Sequence, residues 1–176
     1  EEVRSPLEAA GAVGGGRLPV ADRAHVRDEA RQLGLGGARC APELGGQGYG
    51  QLKLALLNEI LGQSRWAPTV FGCQAPDTGN AEILAHFGTP DQKKRWLPGM
   101  LTGETLTAIA VTEADAGSDV ASIRTRARRD GDGWRINGSK MFITNGGTAD
   151  LVFVAARTHA EAKGSRAISI FAVPRD

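Results

Sequence analysis

Two spacings of apolar residues divide this chain near residue 104. Before that point apolar side chains recur every three to four positions, which is the period of a helix with one buried face. After it they alternate with polar residues, which is the period of a half-buried strand. The pattern predicts an α+β protein, with a partial N-terminal all-α helical domain over residues 1–104. An antiparallel β-barrel or sandwich domain is predicted over residues 105–176.

Four helices are predicted in the first region, over residues 21–33, 51–63, 78–87 and 90–100. The fourth starts at a capping box, in which Thr89 caps the helix and Gln92 reaches back to it. The second carries a broad apolar stripe, made of residues that include Leu52, Ala55, Leu56 and Ile60. In the third helix, Ile83, Leu84 and Phe87 are expected to face inward.

The second region is predicted to form strands over residues 106–111, 123–129, 134–137, 141–144, 151–157 and 167–173. Asp130-Gly131-Asp132-Gly133 between two of them is a hairpin signal. The strands stop abruptly at Asp176, and a sheet left open there would pair with other chains. We therefore expect the β-domain to be truncated in this sequence.

Composition excludes several function classes. A net charge of +1, with 41% hydrophobic and 23% charged residues, is typical of a soluble globular protein and predicts no nucleic-acid partner. No apolar run is long enough to span a bilayer. The two cysteines, Cys40 and Cys73, and the three histidines are too scattered for a metal site. Arg124, Arg126 and Arg128 alternate along a strand and are expected to form a solvated face.

Two polar loops are the candidate sites. The first covers residues 111–120, at the junction of the helical and strand regions, and carries hydroxyls, carboxylates and a glycine. The second follows the strand predicted at 141–144, on which Phe142 and Thr144 share a face. An aromatic ring beside a hydroxyl suits a flat heteroaromatic ligand. A core phenylalanine and a turn threonine are the alternative interpretation.

The first loop also resembles a known family. Ala110-Val111-Thr112-Glu113-x-x-Ala116-Gly117-Ser118-Asp119-x-x-Ser122 is similar to the flavin-domain signature of acyl-CoA dehydrogenases. Other segments on both sides of this loop also resemble the family and occur in the family's order. They are Glu43-Leu44-Gly45-Gly46-Gln47-Gly48, Phe87-Gly88-Thr89-Pro90-Asp91-Gln92-Lys93, and Asn137-Gly138-Ser139-Lys140-Met141-Phe142-Ile143-Thr144-Asn145-Gly146-Gly147. Cys73-Gln74-Ala75-Pro76-Asp77-Thr78-Gly79-Asn80 resembles the branch that contains family members 10 and 11.

The resemblance implies FAD as cofactor and assigns it two segments. Ile109, Val111 and Thr112 correspond to the strand along the isoalloxazine, with Thr112 bonded to its pyrimidine side. Phe142, Ile143 and Thr144 correspond to the second flavin segment, with the Phe142 ring packed on the flavin and Thr144 close to N5. Ser118 corresponds to a contact with the CoA arm of the substrate. Two residues depart from the family pattern: Ala114 replaces proline, and Phe142 replaces the usual tryptophan.

The implied reaction is α,β-dehydrogenation of an acyl-CoA thioester in fatty-acid oxidation, with an electron-transfer flavoprotein or a similar acceptor. Glu113 is not the family's catalytic base, which is expected beyond Asp176 in a C-terminal helical bundle. We therefore expect an inactive fragment of a homodimeric or homotetrameric enzyme. Its expected compartment is the bacterial cytoplasm, or a mitochondrion or peroxisome in a eukaryote. A flavin oxidase or monooxygenase on the same scaffold, and a non-catalytic flavin-binding or interaction subunit, are the alternatives.

Overall fold

The computed structural model describes residues 25, 42, 48–64, 67–73, 75–159, 161–162 and 164–175. The helix predicted over residues 21–33 lies outside these ranges except for His25, which is helical and exposed. Cys40 also lies outside them. The account below concerns the described residues, which include both candidate loops.

Four helices occupy the first part of the described chain. They are α1 (Gly50–Leu61), α2 (Ala67–Val70), α3 (Asp77–Phe87) and α4 (Pro90–Thr102). At the start of α4, the Gln92 amide donates to Thr89 Oγ1 at 3.2 Å and the Thr89 amide donates to Gln92 Oε1 at 2.9 Å. The predicted capping box is confirmed. Gly103 ends α4 in the left-handed conformation, with φ of 80°.

The helices do not bury all the faces that their patterns predicted. On α1 the buried residues are Leu54 and Leu61, whereas Leu52 is 77% exposed and Leu56 and Ile60 are also exposed. Apolar residues surround α1 on more than one side, so spacing alone does not decide which side is buried. The inward position predicted for Phe87 is wrong as well, because this last residue of α3 is 85% exposed.

One apolar core joins the helices to the sheet. Leu84 of α3 and Leu97 of α4 pack in the same buried cluster as Leu151 and Phe153, which belong to the central strand. The other buried members of this cluster are Ala81 and Met100. The core therefore holds α3 and α4 against the strands that carry the candidate loops.

The sheet has five strands: β1 (Thr107–Ala110), β2 (Arg126–Asp130), β3 (Gly133–Asn137), β4 (Leu151–Arg157) and β5 (Ile168–Pro174). β2 and β3 form the predicted antiparallel hairpin, and β5 pairs antiparallel to β4. However, β1 and β2 both pair parallel to β4. The α+β class is confirmed, and the sheet is mixed rather than wholly antiparallel. Periodicity identifies strands but not the direction of partners distant in sequence.

β1 and β2 share one edge of β4. The opposite edge of β4 is paired with β5 along its whole length. β1 therefore takes the first half of the remaining edge, through residues 151–154, and β2 joins it at Arg157. Residues 111–125, which connect β1 to β2, leave the sheet between these two pairings. The first candidate loop is thus anchored in the sheet at both ends.

The strand predicted over residues 141–144 is wrong. Phe142 and Asn145 have positive φ angles of 56° and 67°, and residues 144–148 form turns. Left-handed backbone breaks the alternation of side chains that defines a strand. The shared face predicted for Phe142 and Thr144 therefore has no strand to support it.

Candidate functional site

A tight turn begins the first candidate loop. The Glu113 amide donates to Ala116 O at 3.0 Å, and the Ala116 amide donates to Glu113 O at 3.2 Å. Ala114 and Asp115 form the exposed tip of this turn, while Glu113 and Ala116 are buried. Ser118, the residue expected to contact substrate, follows in an exposed stretch. The turn thus separates a buried carboxylate from an exposed polar segment.

Glu113 holds the two ends of the loop together. Its Oε2 accepts the Arg124 amide at 2.6 Å, and its Oε1 accepts the Thr125 amide at 2.9 Å. The Lys140 ammonium donates to Oε1 at 2.8 Å. Burial by itself raises the pKa of Glu113, but the bonds from Lys140, Thr125 and Arg124 outweigh it and hold the pKa at about 2. Glu113 is therefore an ionised anchor of the loop. Its low pKa makes it a poor proton acceptor.

The second candidate segment lies directly against the first. Lys140 Nζ donates to Val111 O at 2.9 Å, and the Met141 amide donates to Thr112 O at 3.0 Å. The next residue is Phe142, whose side chain is 87% exposed. Left-handed backbone is uncommon for a bulky residue other than glycine, so the Phe142 backbone departs from the strand geometry predicted for it. The structure therefore brings Thr112 and Phe142 close together.

Residues 138–148 follow the edge of β1 that faces away from β4. Leu106 O accepts the amide of Leu151, the first residue of β4, at 3.3 Å. Successive carbonyls of a strand point in opposite directions, so Thr107 O points away from β4. This carbonyl accepts Asn145 Nδ2 at 2.8 Å. Residues 138–148 thus run antiparallel beside β1, held by the Met141–Thr112 backbone bond and by side-chain bonds rather than by a regular backbone ladder.

The remaining predicted site residues fall into two groups. Ile109, Val111 and Ile143 are half-buried, and Ile109 packs against the main core cluster while Val111 packs against a smaller one. Thr112 is half-buried and Thr144 is exposed. The half-buried residues fix the backbone of the two segments. Phe142 and Thr144 are exposed and are therefore available for contact with a ligand.

Sequence reasoning missed four residues that anchor this site. Lys140 and Asn145 were not assigned a role, and the Arg124 and Thr125 amides were not expected to bind Glu113. The Lys140–Glu113 bond spans 27 residues and the Asn145–Thr107 bond spans 38. No local spacing rule reports contacts at such separation. The available signal was the isolated charge of Lys140 beside the apolar residues 141–143.

The remaining features of the described part of the chain concern metal ligation, the alternating arginines and membrane crossing. His25, His86 and His159 are exposed, and no group of three His, Cys, Asp or Glu residues within the described ranges could hold a metal ion. Arg124, Arg126 and Arg128 are exposed, as predicted for a solvated face. Among the described helices, none has the length and apolar character needed to cross a membrane.

Two family models match this chain almost end to end. The N-terminal domain of acyl-CoA dehydrogenase matches residues 12–104, and the middle domain of acyl-CoA dehydrogenase matches residues 108–176. The chain belongs to the acyl-CoA dehydrogenase family. The resemblance inferred from the loop motifs is confirmed.

Relatives in this family share more than a third of their aligned residues with the chain. Acyl-CoA dehydrogenase FadE12 of Mycobacterium tuberculosis is 40% identical over 148 residues, which are 84% of this chain and 38% of FadE12. Acyl-CoA dehydrogenase family member 11 of Mus musculus is 38% identical over 133 residues, which are 73% of this chain and 17% of that protein. The chain therefore spans less than half the length of either relative.

Solved acyl-CoA dehydrogenase structures share the fold. A Mycobacterium abscessus protein assigned to the family superposes with a TM-score of 0.82 at 34% identity, covering 96% of this chain and 43% of that one. A glutaryl-CoA dehydrogenase from Mycobacterium smegmatis, solved in complex with FADH2, superposes with a TM-score of 0.65 at 30% identity. That match covers 87% of this chain and 38% of the other.

Proposed function

We propose that this acyl-CoA dehydrogenase family chain binds FAD, with the isoalloxazine ring held between the end of β1 and residues 142–144. The observation that carries the proposal is the bond from the Met141 amide to Thr112 O at 3.0 Å, which holds the backbone just before the exposed Phe142 against Thr112. The glutaryl-CoA dehydrogenase solved with FADH2 supports the choice of cofactor.

The residues present fit a flat ring. Phe142 offers an aromatic face that is 87% exposed, so a stacked flavin would remove apolar surface from water on both partners. Ile109 and Val111 are half-buried in core clusters and would give the ring a rigid backbone support. Thr112 and Thr144 supply hydroxyls for the polar edges of the ring. Such a mixture of one stacking ring and few polar groups is common in cofactor sites.

The proposed reaction is α,β-dehydrogenation of an acyl-CoA thioester, as the family membership supports. Bound flavin would supply the redox chemistry by accepting a hydride at N5, and the protein would supply binding and alignment. In this proposal Ser118 contacts the CoA arm, and its exposed position on the loop is compatible with that role. Glu113 does not remove the substrate proton, because its pKa of about 2 and its bond to Lys140 leave it a weak base.

The proposed catalytic base lies outside residues 1–176. An acyl-CoA substrate, an electron-transfer flavoprotein or similar acceptor, and assembly into a homo-oligomer are further parts of the proposal for the whole enzyme. Its proposed compartment is the bacterial cytoplasm, or a mitochondrion or peroxisome in a eukaryote.

Truncating Phe142 tests the flavin site. In titrations of the 176-residue chain with FAD, followed by flavin fluorescence, we expect Phe142→Ala to weaken binding about tenfold, since an aromatic stacking contact is worth about 1–3 kcal/mol. Phe87→Ala is the matched control, because Phe87 is equally exposed but lies on α3, and it should leave the affinity unchanged. Equal affinity of the Phe142 variant and the wild type would contradict the proposed site, and so would a wild-type chain that does not bind flavin.

A further inference from the structure

The Lys140–Glu113 ion pair differs from the other ion pairs of the described residues in its burial. The Lys140 and Glu113 side chains are 10% and 9% exposed, and their charged atoms are 2.8 Å apart. Arg124–Asp115 and Arg135–Asp130 are both formed by largely exposed side chains. Exposed pairs contribute little to stability, whereas a buried pair requires two charges to lose their hydration. The buried pair therefore needs an explanation other than simple attraction.

Conformational specificity is one contribution that a buried ion pair can make. Two apolar side chains could fill the same space and tolerate small shifts, but charged hydrogen bonds require particular atoms at particular distances. Lys140 Nζ reaches both Glu113 Oε1 and Val111 O, at 2.8 and 2.9 Å. A single ammonium thus fixes the segment before Phe142 against the end of β1.

A close contact of Gly138 reinforces this anchor. A Cβ built on Gly138 would lie 2.3 Å from Thr125 Oγ1 and 2.7 Å from Thr125 Cα, so only glycine allows the two backbones to approach this closely. The Thr125 amide in turn donates to Glu113. Glu113, Thr125, Gly138 and Lys140 therefore form one compact anchor.

A second anchor lies on the other side of Phe142. Asn145 Nδ2 donates to Thr107 O at 2.8 Å, at the opposite end of β1. Phe142 stands between these two anchors, yet its own ring is exposed. The ring therefore depends on its neighbours in the chain for its position.

We infer that Lys140 is a positioning residue for the flavin site: through Glu113 and Val111 O it holds residues 138–142 in register with β1, so that Phe142 and Thr112 are already placed when the ring arrives. This inference rests on the proposed function. Preorganisation of this kind increases affinity because the protein does not have to be ordered on binding.

Removal of the ammonium tests the inference. We expect Lys140→Met to weaken FAD binding about tenfold, because the loss of a hydrogen bond to a charged group changes an equilibrium constant by about a factor of ten. Binding is measured at a temperature where circular dichroism shows the variant fully folded. Amide exchange should also be faster at Met141, whose N–H donates to Thr112 O. Lys94→Met, on the exposed surface of α4, is the matched control and should change neither measurement.

The outcomes are distinguishable. A wild-type chain that does not bind FAD would refute the proposed function. Weakened binding by Phe142→Ala with unchanged binding by Lys140→Met would overturn the positioning role alone. Should Lys140→Met fail to fold, Glu113→Gln/Lys140→Met, which removes both charges, is expected to fold and to show the same loss of affinity. Failure of both variants to fold would make the pair purely structural and would overturn the inference.

Discussion

At the scale of single residues, Glu113 shows how environment decides the role of a carboxylate. A glutamate in an acidic loop beside a proposed redox site invites assignment as a base. Its bonds to Lys140 and to the Arg124 and Thr125 amides instead hold its pKa at about 2, so at neutral pH it stays ionised. Glutamates that act as general bases have pKa values tuned toward the working pH. Glu113 is an anchor for two loops.

The low pKa of Glu113 predicts how stability depends on pH. A carboxyl whose pKa is lower in the folded state stabilises the fold above its unfolded value and loses that contribution as pH falls through the folded value. For Glu113 the window runs from about pH 4.5 down to about pH 2. The contribution lost is on the order of 3 kcal/mol. Urea unfolding of the wild type and Glu113→Gln should measure it, as a difference in free energy of unfolding that shrinks across this window. A difference that does not change between these pH values would contradict the assigned ionisation.

At the scale of elements, the sequence predicts correctly the helix start and the hairpin that depend on neighbouring residues. It does not predict the segment whose conformation depends on residues far away in the chain. The start of α4 follows from Thr89 and Gln92, which lie three residues apart, and the hairpin of β2 and β3 follows from a turn of Gly and Asp. The strand predicted over 141–144 was wrong because its anchors, Lys140 and Asn145, bind residues far away in the sequence. The segment does lie beside β1, as a strand would. Its left-handed residues, however, prevent a ladder.

Gly138 gives an element-scale prediction. In Gly138→Ala the new methyl group would overlap Thr125, including its backbone, so we expect a loss of about 1–3 kcal/mol in the free energy of unfolding, as in other overpacked sites. Gly117→Ala is the matched control, because a Cβ at Gly117 meets nothing within 4 Å. Chemical denaturation of both variants measures the difference. Equal stability of the two would show that residues 138 and 125 are not packed as described.

At the scale of the whole molecule, the α+β class and the family could be predicted from sequence, but the arrangement of the sheet could not. Residue periodicity separates helices from strands, and the order of motifs identifies an acyl-CoA dehydrogenase. The parallel pairing of β1 with β4 joins residues such as Thr107 and Leu151, and nothing in either segment specifies its partner. This pairing nevertheless makes the candidate site possible, because it leaves the other edge of β1 to residues 138–148.

The burial of α1 is another property of the whole molecule. Leu52 and Leu61 are both apolar and lie on one helix, yet the first is exposed and the second is buried. The choice between the two sides depends on what packs against the helix. Periodicity therefore predicts that a helix exists more securely than it predicts which side faces the core.

The central claim is that a flavin ring binds between the end of β1 and residues 142–144. A crystal structure of the chain grown with FAD measures this most directly. The account predicts that the isoalloxazine stacks on Phe142, lies against the Val111–Thr112 backbone, and leaves the Lys140–Glu113 pair intact. A ring bound elsewhere on the protein, with Phe142 still exposed to solvent, would contradict it.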